Sequence, residues 1–332
     1  MCGITGFIGK SKKTDVTYKI ITSVFNNLET RGIDASGVWG SIDNKKSVCY
    51  HKDSIRSSVF TKSVFWQGLS NIEFDLMLLH CRAASKGVGK PDENINNHPF
   101  VNSTKNVAIV HNGRVPEFDY LKDIYPVNSE CDSELFLSIF ESKEDKLEAM
   151  NDIWSLVYQG HFAVAVGEKR DNDCRLWLFR NPFRPLWLVD MREYLGQIFF
   201  VSMPNIWMDS VSPLIKSKSK FIEVPPYSIF CFTYNKEIEY KSFQVELSDK
   251  FIDIELKSIE IKNNENELAI LSPVKKTSII NDPIEDNCIQ INDITEMIES
   301  VLNKDQLNKL NPYLVQVKSK MQEILNIIEN NH

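Results

Sequence analysis

Apolar positions over the first 235 residues fall into two periodicities. Residues 3–9 run apolar with glycine punctuation, the pattern of a buried strand at the very start of the chain. Val16, Ile20, Ile21, Val24, Phe25 and Leu28 then recur at intervals that predict a helix over residues 16–28, with Gly32 as its stop. From Ser36 to Tyr234 the apolar runs are short and β-rich, as at 107–110, 162–166, 176–179, 198–201 and 228–233. One further helix is predicted over 133–140, extended by 144–157. Strands in runs with a few helices, without regular βαβ alternation, predict an α+β fold of layered helices and sheets.

Beyond Tyr234 the pattern changes. Residues 237–245 read as a returning hairpin strand, and 251–261 alternate Ile252, Ile254 and Leu256 with charges, as a half-exposed strand does. Residues 262–290, rich in Asn, Lys and Glu, read as a linker. Ile294, Met297, Ile298, Val301 and Leu302 then form one amphipathic helix stripe. After Pro312, Leu314, Val317, Met321, Ile324, Leu325 and Ile328 form a second at near-heptad spacing. The organisation expected is one domain over 2–246 and an acidic extension over 247–332 with a linker and two C-terminal helices. Those helices either dock on their own domain or make a contact with a partner or a second copy, giving a homo-oligomer.

Charge sharpens this division. The net charge of −7 arises after residue 235, where 11 lysines face 18 acids, while residues 1–235 hold 27 basic and 27 acidic side chains. No basic footprint for nucleic acid is present, so none is expected as a partner. With 42% hydrophobic and 25% charged residues and no apolar run near the roughly eighteen needed to cross a bilayer, no membrane partner is expected either. The cysteines at 2, 49, 81, 131, 174, 231 and 288 show no CxxC spacing, which argues against a disulfide framework and a zinc ribbon. No basic region precedes the apolar start, and a reducing cytoplasm is the expected location.

The second position carries the first chemical signal. Cysteine is small enough for removal of Met1, which leaves a residue with both a thiol and a free α-amine. Their ordinary pKa values, near 8.5 and 7.7–8.0, let the amine act as general base for its own side chain.

Further segments give that cysteine a context. They are Cys2-Gly3-Ile4-Thr5-Gly6, Arg31-Gly32-Ile33-Asp34-Ala35-Ser36-Gly37, His80-Cys81-Arg82-Ala83-Ala84-Ser85, Asn96-Asn97-His98-Pro99-Phe100 and His111-Asn112-Gly113. In this order the chain resembles the class II glutamine amidotransferases, the family with an N-terminal cysteine nucleophile. The likeness continues more weakly through Ser129-Glu130-Cys131-Asp132-Ser133-Glu134, Arg180-Asn181-Pro182 and Phe200-Val201-Ser202, covering about residues 2–235. It implies an Ntn-hydrolase sandwich, with helices packed on two mainly antiparallel sheets.

The resemblance also implies roles. Cys2 would attack the glutamine side-chain amide, and the Asn112 amide with the Gly113 N–H would hold the oxyanion. Arg82 would grip the α-carboxylate with two parallel hydrogen bonds, Ser85 would contact substrate, and Asp132 would take the α-ammonium, alongside the plainer reading of Asp132 as a helix N-cap. Arg31 would hold the terminus, while His80, His98 and His111 lack a ligand spacing and read as supporting structure, with no metal and no cofactor expected. Two departures stand out: Ala83-Ala84-Ser85-Lys86 replaces the Trp-Ala-Thr-His frequent in the family, and Cys131 stands where many relatives have threonine. No GxxxxGK[ST] or SGGxDS stretch for an ammonia-using domain is present, so the expected partner, besides glutamine, is a separate ammonia-accepting synthetase subunit. Rival readings are a stand-alone hydrolase of another γ-glutamyl amide and a non-catalytic binding subunit.

Overall fold

The computed structural model describes residues 1–42, 47–85, 87–211, 214 and 219–245. The predicted 251–261 strand, the linker and the two terminal helices lie outside the described residues, as does Lys86.

The strands are β1 (Gly3–Ile8), β2 (Ala35–Ile42), β3 (Val48–Asp53), β4 (Phe74–Arg82), β5 (Phe100–Val101), β6 (Val107–Arg114), β7 (His161–Lys169), β8 (Cys174–Arg180), β9 (Trp187–Met191), β10 (Gln197–Val201), β11 (Lys220–Glu223), β12 (Ser228–Asn235) and β13 (Glu237–Gln244). The helices are α1 (Thr14–Leu28), α2 (Ser57–Phe60), α3 (Val64–Gly68), α4 (Phe118–Leu121), α5 (Glu134–Glu141), α6 (Lys146–Leu156), α7 (Arg192–Leu195) and α8 (Pro204–Val211). A seven-stranded sheet has the order β11-β9-β10-β1-β4-β2-β3, and a six-stranded sheet the order β13-β12-β8-β7-β6-β5. Neighbouring strands pair antiparallel in both.

Alternation along the strands builds four layers. Ile4 and Ile8 of β1, Trp39 of β2, and Leu76 and Leu78 of β4 meet Ala108, Val110, Ala163, Ala165, Leu176 and Leu178 between the sheets. Phe7, Val38, Met77 and Leu79 point the other way, onto Ile20, Ile21, Val24, Phe25 and Leu28 of α1 and Trp207 of α8. On the far side Ile109, Phe162, Val164 and Val166 pack against Leu135, Phe136, Ile139 and Phe140 of α5 and Trp154 of α6. Successive strand side chains alternate faces, so a strand covered on both faces is apolar at both parities. That is why these strands read as runs of hydrophobic residues.

Two local predictions need correction. Helix α1 ends at Leu28 and passes through a 3-10 turn, Glu29–Arg31, and Gly32 is extended at φ −174° and does not stop the helix with a left-handed turn. Its lack of a side chain serves packing, because a Cβ there would overlap the Arg82 backbone and lie 2.6 Å from the Ala83 nitrogen. The 133–140 helix does not extend through 144–157 either. It ends at Glu141, and a separate α6 begins where the Asp145 carboxylate accepts the Leu147 and Glu148 N–H groups, at 2.9 and 3.3 Å.

The register gathers three strand ends at one place. β1 lies between β10 and β4, and Gly3 pairs with Cys81, which sets Cys2 beside Arg82 and Ala83. β6 of the other sheet ends at Arg114, so Asn112 and Gly113 stand near the end of their own ladder.

Candidate active site

Cys2 is held from several sides. Arg31 Nε donates to its carbonyl oxygen at 2.9 Å, and the following Ile4 N–H donates to the buried Ser202 hydroxyl at 2.8 Å. The sulfur rests against the chain that leaves β4: the Ala83 N–H donates to Sγ at 3.4 Å, and Sγ lies 3.6 Å from the Ala83 carbonyl. The next peptide is pinned by the Ala84 N–H donating to Asp34 Oδ2 at 2.7 Å. Burial pushes the Cys2 thiol up, and the Ala83 N–H, the terminal ammonium and Arg82 oppose this, while Asp132 adds to the rise. A buried thiol with such a pKa needs a base at hand, as an α-amine on the same residue would be.

A small cavity is lined by Cys2, Arg82, Ser85, Gly113 and Asp132, together with His98 and His111. Asn112 comes one residue before Gly113 on β6 and is 1% exposed, yet neither its Nδ2 nor its Oδ1 has a hydrogen-bond partner among the described residues. Buried amides are nearly always paired, and an unmet one costs about 1–3 kcal/mol, which makes this one a candidate ligand-binding group. Gly113 has no room for a side chain, since a Cβ would overlap the His161 carbonyl oxygen and lie 2.5 Å from His111 Nε2.

Asp132 is 4% exposed. It does not cap α5, where Ser133 holds the N-cap position without a side-chain bond. Its Oδ2 instead accepts the Val115 N–H at 2.7 Å and its Oδ1 the Ser133 hydroxyl at 3.3 Å, which orients the carboxylate at the end of β6. Burial raises its pKa and these donors oppose the rise. Arg82, 3% exposed, makes no ion pair with a described residue. Its Nη1 donates to Asn97 Oδ1 at 2.7 Å, and its Nη2 to the Val88 and Gly89 carbonyls at 2.6 and 2.8 Å.

The three histidines are packed and do not converge. His80 stacks on His98 with ring centroids 3.9 Å apart and donates from Nε2 to the His111 carbonyl at 3.1 Å. His111 Nδ1 lies 2.7 Å from the Ser133 hydroxyl, and His98 has no partner on either nitrogen among the described residues. Burial holds all three neutral, pushing His80 and His111 down to about 3 and His98 well below its ordinary value. Among the described residues no group of three or more His, Cys, Asp and Glu side chains is arranged to hold a metal ion. Cys131 is 3% exposed in the core beneath α5, its thiol pushed up to about 12 by burial.

Sequence reasoning gave no role to Ala83, Asp34, Ser133 or Asn97. The contributions of Ala83 and Asp34 depend on where the backbone turns after β4. Asn97 sits inside a segment that resembles the family's pattern, and only the fold shows that its side chain meets Arg82.

A family model described as a glutamine amidotransferase domain matches residues 85–208. A glutamine–fructose-6-phosphate aminotransferase (isomerizing) from Clostridium perfringens is 31% identical over 176 residues, 50% of this chain and 26% of that protein. Its counterpart from Bacteroides thetaiotaomicron is 25% identical over 273 residues, 79% of this chain and 40% of that protein. The chain thus spans well under half the length of these relatives. Among solved structures, the glutamine phosphoribosylpyrophosphate amidotransferase of B. subtilis, complexed with ADP and GMP, superimposes with a TM-score of 0.54 at 19% identity, over 74% of this chain and 50% of that one. The allosteric regulatory enzyme of purine biosynthesis superimposes at 0.56, with the same identity and coverage. These two likenesses speak to the fold alone, and they agree with the two-sheet layered architecture. The chain thus carries a stretch that matches a glutamine amidotransferase domain and is similar in sequence to glutamine-dependent aminotransferases.

Proposed function

We propose that the mature protein, freed of Met1, is a glutaminase that releases ammonia for an acceptor enzyme on a separate subunit. The observation that carries this reading is the single cavity shared by Cys2, Arg82, Gly113 and Asp132, with the unpaired Asn112 amide next to Gly113. Free glutamine presents a carboxylate, an ammonium and an amide, and the cavity offers a cation, an anion and a nucleophile to match.

In the proposed reaction the α-amine takes the thiol proton and the thiolate attacks the side-chain carbonyl carbon. The Asn112 amide and the Gly113 N–H donate to the oxyanion that forms. As the oxyanion collapses, the C–N bond breaks and the leaving nitrogen takes the proton back, which gives ammonia and a γ-glutamyl thioester. Water then adds to the thioester, and glutamate leaves with the thiol restored.

No helix among the described residues is long and apolar enough to cross a membrane, which is compatible with the cytoplasmic setting we propose. The test is glutamine hydrolysis by the wild type beside Cys2→Ala and Asp132→Ala, with the intact mass of each chain. Loss of glutamate release in Cys2→Ala and a large loss in Asp132→Ala are expected, and a Cys2→Ala protein as active as the wild type would end the proposal.

A further inference from the structure

Asn97 is buried at 0% exposure, and its side chain joins two parts of the site. Its Oδ1 accepts from Arg82 Nη1 at 2.7 Å. Its Nδ2 donates to the Pro91 carbonyl at 2.7 Å and lies 3.1 Å from Asn94 Oδ1 and 3.3 Å from the Ser54 hydroxyl. Lys52 Nζ donates to the Asn97 carbonyl oxygen at 2.5 Å, so the residue is fixed by its backbone as well. One amide therefore ties the guanidinium to the end of the loop that supplies Ser85 and Val88 to the cavity.

The chemistry of the three acceptors on Arg82 matters more than their number. Asn97 Oδ1 and the Val88 and Gly89 carbonyls are all neutral oxygens. They orient the guanidinium and stabilise it in the interior without neutralising it. Three of its five N–H groups are engaged by these neighbours, which leaves two, and the whole positive charge, for a ligand. A carboxylate in place of the Asn97 amide, at the same 2.7 Å, would form an internal ion pair and compete with any anion that enters the cavity.

We infer that Asn97 is a positioning residue that holds Arg82 oriented but unneutralised, and so makes the cavity selective for ligands bearing an α-carboxylate. This rests on the proposed glutaminase reading. Asn97 acts through Arg82 and through the loop, and it touches no reacting atom.

The test compares two substrates in steady state, glutamine and glutaminamide, in which a neutral carboxamide replaces the α-carboxylate. In the near-isosteric Asn97→Asp, KM for glutamine should rise tenfold or more, while the smaller kcat/KM for glutaminamide should change less than threefold. Asn97→Ala, whose thermal melt is recorded beside it, should lower the preference for glutamine over glutaminamide in the same direction. A merely structural lesion moves both substrates together, and equal losses for both in a variant that melts like the wild type would overturn the inference alone. A wild type that hydrolyses neither substrate would overturn the glutaminase reading and this inference with it.

Discussion

At the scale of single residues the site keeps groups that a stability optimum would not. Asn112 has two unpaired amide atoms in the interior, so its side chain adds little to the fold and, on the proposed reading, much to the reaction. Asn112→Ala should lower kcat by about 10²–10³, near 3–4 kcal/mol of transition-state stabilisation, while unfolding free energy falls by no more than about 1 kcal/mol. Glutamate release and urea titration on one preparation check both halves, and a collapse in stability with kcat preserved would reverse the assignment. The histidines give a second prediction. His80, His98 and His111 are neutral when folded, with pKa values below those of the unfolded chain, so acidification protonates the unfolded state first. Their contribution is fully present above about pH 6.5 and is lost as pH falls toward 3, with a slope of up to about 1.4 kcal/mol per pH unit for each. Denaturation midpoints measured from pH 7 to pH 5 should fall, and His98→Leu, at a ring with no hydrogen-bond partner among the described residues, should flatten the slope.

At the scale of elements, the site depends on where strands end. Register puts Cys2 beside Arg82 and Ala83, and Gly32 and Gly113 keep backbone close to backbone at the same place. Asp145 caps α6, which is distant in sequence from every proposed catalytic group. Asp145→Ala should cost about 1 kcal/mol of stability with glutamine hydrolysis unchanged. A change in kcat without a change in the melt would mean that α6 is coupled to the site. The apolar runs at 107–110, 162–166, 176–179, 198–201 and 228–233 were legible as strands because both faces of the sandwich are covered, and residues 16–28 were legible because only one face of α1 is buried. The break between α5 and α6 was not, because Phe140 and Leu147, on either side of the polar residues 142–145, are seven apart and so stay in helical phase, and only the Asp145 cap marks the new start. Gly32 misled for a related reason. A glycine just after a helical stripe resembles a stop, whereas its real neighbour, the Arg82 backbone, is 50 residues away in sequence.

At the scale of the whole molecule, the two-sheet core and the helices on both sides lie within the described residues, and we propose that the acidic sequence beyond residue 245 helps dock the acceptor subunit. A chain cut after residue 246 should hydrolyse glutamine at the wild-type rate and lose co-purification with the acceptor synthetase. A shortened chain that still recruits the same partner would place docking elsewhere. Cys2, Arg82, Gly113 and Asp132, which line one cavity, each lie in a short ordered segment of the sequence. The way Arg82 is held was not legible there, since it depends on a side chain and two carbonyls brought in by the loop after β4.

The proposed reaction needs a thiol and a free α-amine on the first residue of the mature chain. The most direct measurement is mass spectrometry of the N-terminal peptide after treatment with a glutamine analogue whose amide is replaced by an electrophilic diazoketone. The expected result is one adduct on Cys2, on a peptide lacking Met1, with labelling suppressed by excess glutamine. An N-terminal peptide that retains Met1, or an adduct on one of the other cysteines, would contradict it.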